Sequence, residues 1–285
     1  MLEISVAYIL DLIFGDPAWF GHPVRVIGRL IEKSEPLLRR NIKNEHIAGV
    51  ILALVVIGLT WSFCFILIRQ ASWLNKYLGS ALSIFFIYTA LAVKDLKMQS
   101  QRVYSALKNN DLALARKNLS LIVGRDTYNL NQKEIIRATI ETVSENTLDG
   151  IISPLFYAFL GGAPLVLAYK AVNTLDSMVG HKNEKYKNFG WASAKIDDAV
   201  NFIPARICVL LFPVASALLA KNGLNSFRIA LRDGRKNPSP NSGIPEAAIA
   251  GALGIQLGGL NFYNSVGVQK PYVGSNPCHL EIKHI

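Results

Sequence analysis

Long stretches of this chain carry no charge. Ile47 to Ile68, IAGVILALVVIGLTWSFCFILI, runs for 22 residues without a charged side chain. Tyr77 to Val93, flanked by Lys76 and Lys94, is a second such run, and Gly150 to Tyr169 a third. Ile207 to Ala220 is shorter, and Ile4 to Phe14 is interrupted by Asp11. A small-residue stretch after Glu246 completes the set. A helix needs about 20 apolar residues to cross a bilayer, so a soluble helical protein with a large core is the poorer reading. The pattern predicts an all-α, polytopic integral membrane protein with about five to six apolar segments. It reads as a single membrane domain over 1–285, with a soluble helical loop, 94–149, inserted between membrane segments.

Other absences narrow the function. Cys64, Cys208 and Cys278 are scattered without metal or redox spacing. HExxH, GxSxG, a P-loop lysine and GxGxxG are all missing, as are internal repeats. The N-terminus lacks a basic leader and is broken by Glu3 and Asp11, so it does not read as a signal peptide. Net charge is +10, yet no compact Lys/Arg block is interleaved with aromatics, which argues against nucleic acid. In a membrane protein this excess points to basic loops facing the cytoplasm and anionic lipid, and it suits anionic substrates. The lipid bilayer of the cell membrane is therefore the first expected partner.

Runs 47–68 and 77–93 are separated by eight residues and predict a hairpin. Loops 15–46 and 94–149 then share a side, and their basic character favours the cytoplasm. The long loop predicts helices over Lys94–Asn109, Asp111–Ile122 and Asn131–Ser144, with Asp111 and Asn131 as N-caps. Pro154, Gly161, Gly162 and Pro164 break the third run. Broken segments at membrane depth need protein or a water-filled cavity to satisfy their backbone, and such breaks point to binding sites. A re-entrant 150–169 would return loop 173–202 to the face of loop 94–149.

Polar clusters abut these runs. GRDTYNL, from Gly124, leads to ETVSENTLDG, where Glu141 and Glu145 share a helix face. Asn173 and Asp176 are three apart. Asp197, Asp198 and Asn201 form DDxxN, a set of oxygens suited to magnesium bridging phosphates. LRDGRKNPSPNSG surrounds Asp233 with basic residues, and a GDP…HP pair holds Asp16 and His22. Plainer readings stand beside these. Asp149-Gly150 also fits a turn, Asp197 a cap and Asp198 a solvated charge. Glu141 also fits a pair with Arg137, His22 simple packing and His181 a loop residue.

The stretch RKNPSPNSGIPEAAIAGALGIQLGG places Glu246 at the mouth of a small-residue helix. Asn241, Ser242 or Gly243 can cap it, and Pro245 fits its first turn. Ala247, Gly251, Ala250, Gly254 and Gly258 fall at four-residue spacings, with Gly254 and Gly258 as GxxxG. Such faces let helices approach closely in lipid.

At these residues the chain resembles the adenosylcobinamide-phosphate synthase family of cobalamin biosynthesis, also called CbiB or CobD. The resemblance rests on DLIFGDPAWFGHPVRVIG, VGRDT, SENTLDGIISPLFY, KAVNTLDSMVGHKNEKYKNFGWASAKIDDAVNFIPARI and DGRKNPSPNSGIPEAAIAGALGIQLGG, spanning Asp11 to Gly259. Members usually continue into one more apolar segment, so the resemblance implies a shortened form. It also implies an ATP- and Mg2+-dependent amide ligase. That enzyme joins adenosylcobyric acid, a corrinoid, through its free propionate to (R)-1-aminopropan-2-ol or its O-phosphate. Other enzymes of cobalamin assembly are implied partners. For such chemistry Asp176, Asp197, Asp198 and Asn201 are the candidates to hold metal. Arg125, Lys182, Arg206, Arg232 and Arg235, with Asn241 and Ser242, are the candidates for phosphate. Glu145, Asp149 or Glu246 would take the proton of the amine or bind its ammonium. Two other readings compete. A membrane prenyltransferase would show a second Asp-rich motif, and a transporter would show paired breaks in related halves; neither is present.

Overall fold

The computed structural model describes residues 1–16, 21–181, 183–275 and 280–285. In chain order the helices are α1 (Leu2–Phe14), α2 (Pro23–Asn41), α3 (Glu45–Leu74), α4 (Lys76–Tyr88), α5 (Val93–Lys108), α6 (Leu112–Ser120) and α7 (Gln132–Thr147). A π-helical turn, Leu148–Ile152, leads into α8 (Ser153–Val179). There follow α9 (Trp191–Val200), α10 (Phe202–Leu218), α11 (Gly223–Asp233) and α12 (Gly243–Leu253), then strands β1 (Gln256–Tyr263) and β2 (Val266–Gly274). The chain divides into two compact units, one of 1–94 with 149–201, the other of 95–148 with 202–285.

In the first unit α3 is the longest helix. At about 1.5 Å per residue its 30 residues exceed the thickness of a bilayer core. Its exposed residues are themselves apolar: Leu54 is 62% exposed, Leu59 53% and Phe63 63%. Exposing each such side chain to water would cost about 1.5–3 kcal/mol, whereas lipid removes that cost. Asn75 ends α3 and caps α4 by accepting the Tyr77 N–H, which makes the expected hairpin. Cys64 and Leu67 of α3 pack with Phe86 and Ile87 of α4 and with Val166 of α8. On another face of α3, Leu52 and Val56 pack with Ile27 and Ile31 of α2 and Leu175 of α8.

The break expected in the third run is present. Inside α8, Gly161 and Gly162 leave helical geometry, Gly162 with φ 65° and ψ −160°, a conformation that favours glycine. Among the described residues three helical stretches are long and apolar enough to cross a membrane: Glu45–Leu74, Lys76–Lys108 and Gln132–Val179. A fourth is reached if the bent pair α9–α10 counts as one span. This is fewer than the five to six apolar segments of the sequence. α1 and α12, with 13 and 11 residues, are too short to cross a core about 30 Å thick.

The second unit is built around α7. Asp111 caps α6 by accepting the Leu114 N–H, and Asn131 caps α7 in a capping box with Glu134, as the loop pattern predicts. Ile135 and Ile136 of α7 pack with Leu119, Ile229, Ala247 and Leu257 in one core. The small-residue face of α12 meets α11. A Cβ on Gly251 would lie 2.6 Å from the Asn225 carbonyl oxygen, and the Ser226 hydroxyl donates to the Ala248 carbonyl.

That face ends sooner than GxxxG suggests. Gly254 is the left-handed C-cap of α12, and Gly258 belongs to β1. The antiparallel pair β1–β2 is an addition to the all-α plan. Asn264 and Ser265 turn it, both at positive φ, the backbone of a two-residue hairpin loop.

Candidate functional site

The first unit gathers polar groups around α8 and α9. Asn201, buried at the end of α9, accepts at Oδ1 from the Ser153 hydroxyl (2.6 Å) and the Tyr169 hydroxyl (3.1 Å). Its Nδ2 donates to Asp197 Oδ2 at 3.1 Å. Asn173 Nδ2 donates to Asp149 Oδ2 at 3.4 Å. Lys170, which opens the KAVNTLDSM stretch but is not among the candidate site residues, has Asp149, Asp16 and Asp197 as its charge neighbours. An ionisable group on an apolar span marks a functional position by default.

These residues do not form a cation cage. Both lone pairs of Asn201 Oδ1 accept from hydroxyls in this arrangement. Asp198 faces Lys195 at 4.0 Å, and Asp176 lies a turn before Gly180, packed on its backbone. Among the described residues no three His, Cys, Asp or Glu side chains come together as a metal site.

Two further motifs have structural partners. The Val24 N–H donates to His22 Nδ1, which caps α2, and His22 Nε2 lies 3.1 Å from Asp16. Tyr186 and Phe189 of the NEKYKNF loop stack against Arg39, which also pairs with Glu35 and Glu45 and donates to the Lys185 carbonyl. Lys182 lies outside the described residues.

In the second unit a buried acid stands at the mouth of α12. Glu246, in the first helical turn, is 4% exposed. Among the described residues its Oε1 has no hydrogen-bond partner, and Oε2 receives only a long contact, 3.5 Å, from Asn237 Nδ2. Burial pushes its pKa up to about 8; Lys270 and Arg125 pull it down, while Glu141 and Glu145 push it further up. Burial therefore outweighs the helix dipole, which favours an anion by about 0.3–1 kcal/mol when exposed. Lys270, half-buried on β2, loses from burial but is held above its usual range by Glu246, Glu145, Glu141 and Tyr263.

Around this acid α7 holds the hairpin. Arg125 Nη2 pairs with Glu141 Oε2 at 2.5 Å, and the Gly258 N–H donates to Glu141 Oε1 at 2.8 Å. Arg137 donates to the carbonyls of Gly258 and Leu260 and to Asn261 Oδ1. Arg125, a phosphate candidate from the sequence, is thus spent on Glu141 and Asn261. Arg232 is likewise engaged. It and Lys236 bind Asp233, and the Gly274 N–H donates to the same carboxylate. Burial works against the Asp233 charge, but these donors outweigh it and hold its pKa at about 2.

The remaining candidates of this unit sit together. Arg206 Nη1 donates to Asn241 Oδ1 at 2.8 Å and stacks on Phe202, and Arg235 is its like-charged neighbour. Ser242 occupies the N-cap of α12 without a side-chain capping bond. Ser239 Oγ instead accepts the Asn241 and Ser242 N–H groups. The structure thus brings Glu145 and Glu246 together, and Arg206, Arg235 and Asn241 together. It assigns Asp149 to the first unit. Sequence reasoning missed Lys170 and Lys270. Lys270 had one available signal: Asn264-Ser265 between alternating apolar residues reads as a hairpin turn.

These features define a helical membrane protein with a buried, poorly hydrogen-bonded acid in one unit and an Asp–Asn–Lys network in the other. The family model "CobD/Cbib protein" matches residues 4–285, and the chain belongs to that family. It is 52% identical over 271 residues to "Cobalamin biosynthesis protein CobD" of Geobacter metallireducens, covering 95% of this chain and 85% of the relative. It is 48% identical to the protein of the same name in Clostridium perfringens, over 100% of this chain and 91% of that one. "Cobalamin biosynthesis protein CbiB" of Salmonella arizonae is 47% identical, with 100% and 90% covered. No solved structure matches.

Proposed function

We propose that this protein acts in cobalamin biosynthesis as an adenosylcobinamide-phosphate synthase. It joins (R)-1-aminopropan-2-ol or its O-phosphate to the free propionate of adenosylcobyric acid in an ATP-dependent amide-forming step. The family membership and the relatives' names support the pathway. The observation that carries the chemistry is the buried Glu246 carboxyl, whose Oε1 is unpartnered among the described residues.

An amine attacks only when deprotonated, and a carboxyl whose pKa is raised to about 8 is a stronger base than an ordinary carboxylate, its ionised form taking that proton increasingly as pH rises toward 8. Glu145, half-buried on the neighbouring helix, adds negative charge that favours an ammonium on arrival. Arg206 and Arg235 are two adjacent cations beside Asn241, an arrangement that suits phosphoryl oxygens. A carboxylate is a poor acyl donor, and ATP supplies its activation when bound. Mg2+ remains implied by the family resemblance. Asp176, Asp197, Asp198 and Asn201 are the residues that would hold it, and Asp197 is already bridged to Asn201. The protein is placed in the cell membrane with its polar loops on the cytoplasmic face, and other cobalamin-assembly enzymes are its proposed partners.

The test is detergent-purified protein incubated with adenosylcobyric acid, ATP, Mg2+ and either amine. Amide product that requires ATP supports the reading. Corrinoid uptake into vesicles without amide product would replace it with transport.

A further inference from the structure

The loop before α12 is fastened by its own side chains. Pro238 and Pro240 each restrict the backbone to a φ of about −65°. Asn237 Oδ1 accepts the Ser239 N–H at 3.1 Å, and Ser239 Oγ accepts the N–H groups of Asn241 and Ser242, both at 3.3 Å. Side-chain bonds to a backbone N–H two residues on stand in for a backbone turn. Gly243 lets this loop lie close on the first turn of α12. A Cβ there would lie 2.7 Å from the Asn237 Cβ and 2.6 Å from the Gly234 carbonyl oxygen.

The bond from Ser239 also settles which end of the Asn237 amide faces Glu246. An asparagine has one accepting oxygen and one donating nitrogen. With Oδ1 engaged by the Ser239 N–H, Nδ2 is the end that lies 3.5 Å from Glu246 Oε2. Among the described residues this is the only hydrogen bond given to the carboxyl, and Oε1 receives none. It is long, as hydrogen bonds of catalytic groups commonly are before substrate binds. Glu246 is 4% exposed, so bulk water does not replace a lost donor.

We propose that Asn237 is a positioning residue: its amide donor holds Glu246 Oε2, which leaves Oε1 to meet a primary ammonium. The proposal rests on the amide-forming reading for the identity of that amine, but its test does not. A hydrogen bond given to the charged form of an acid favours that form. The donor therefore both orients this buried carboxyl and eases its ionisation. Asparagine suits the place because one end of its amide closes the turn while the other reaches the acid.

The charges that act on Glu246 are Lys270, Glu141, Glu145 and Arg125. On the helices packed against α12, Arg137 of α7 is bound to the hairpin, Arg206 of α10 to Asn241, and Asp233 of α11 to Arg232 and Lys236. All of these stay in place when Asn237 alone is changed.

The experiment is thermal unfolding of the full chain in detergent from pH 5 to pH 10, for the parent, N237A, N237S, N237D, E246Q and E246Q/N237S. In the parent, stability falls with pH until Glu246 is ionised in the folded state, near pH 8. Serine can still close the turn but is too short to reach the acid, and aspartate keeps the shape without the donor. That levelling-off should move up by about half a pH unit or more in all three single variants. In the E246Q background N237S should leave the profile unmoved. An unshifted profile in N237A and N237S, or an equal shift with and without Glu246, would overturn the proposal. A shift in N237D alone would also overturn it, since repulsion from the new charge would then explain everything. Should N237A not be recovered folded, N237S carries the same comparison. In the amide assay N237S should lower kcat or raise the KM for the amine, with the corrinoid KM kept. A parent that makes no amide would sink the amide-forming reading and leave the unfolding comparison standing.

Discussion

Arg125 and Glu141 form a buried ion pair, with Nη2 and Oε2 2.5 Å apart and side chains 6% and 2% exposed. Glu141 also fastens the hairpin through the Gly258 amide. Removing one partner of such a pair leaves an uncompensated charge and costs about 3–5 kcal/mol. Arg125→Met should therefore lower the unfolding temperature sharply in a denaturation scan. Unaltered stability with a weakened affinity for ATP would return Arg125 to the phosphate role suggested by its motif.

Glu246 makes stability depend on pH with a definite sign. Its folded pKa, about 8, lies above the ordinary carboxyl value of 4.5. Between these limits the folded state holds a proton that the unfolded chain has lost, so stability falls as pH rises and levels off above about 8. The slope is about 1.4 kcal/mol per pH unit at most. Glu246→Gln should flatten this window and stabilise the protein at pH 8. A parent profile that rises from pH 5 to 8, with Glu246→Gln unchanged, would show that the acid is hydrated and ionised.

Asp233 works in the opposite direction. Its pKa is held at about 2, against 3.8 for the free group, by Arg232, Lys236 and the Gly274 amide. The stability it contributes is present above pH 4 and is lost as pH falls toward 2. Asp233→Asn should cost about 2 kcal/mol at neutral pH, discounted because both basic partners are about half exposed. Loss of its acid-limb dependence in a pH titration of unfolding checks the sign.

The membrane plan was legible because it rests on composition. Uncharged runs announce α3 and α4, and Asp111 and Asn131 announce helix starts through local hydrogen bonds. Gly161 and Gly162 announce a break because little else tolerates that backbone. The hairpin was not legible, because GALGIQLGG continues the small-residue rhythm of α12 while Gly254 ends the helix by adopting a left-handed conformation. Within the site, Glu246 stood out as an acid opening an apolar helix. Lys170 and Lys270 did not, since a single lysine has no pattern, and its meaning comes from carboxylates distant in sequence. Arg125 and Asn201 looked like ligand residues for the converse reason: their protein partners, Asn261 for one and Tyr169 for the other, are also distant.

Lys185 tests orientation. Its carbonyl is bound by Arg39 while its ammonium is exposed, so a cysteine there should be reachable without unfolding. With the polar loops cytoplasmic, Lys185→Cys should be labelled by an impermeant maleimide only after sealed right-side-out vesicles are opened. Labelling of intact vesicles would place this loop outside.

The most direct measurement of the central claim is steady-state kinetics of Glu246→Gln beside its unfolding temperature. The substitution keeps shape, and its effect on stability at pH 8 should be neutral or favourable. If Glu246 takes the proton of the amine or binds its ammonium, amide formation should fall a hundredfold or more. A tenfold step corresponds to about 1.4 kcal/mol, so such a fall exceeds the helix-dipole contribution of an exposed acid. The loss should appear in kcat or in the KM for the amine, with corrinoid binding kept. Turnover within a few-fold of the parent, at unchanged amine KM, would contradict the account and leave Glu145 or Asp149 to handle the amine.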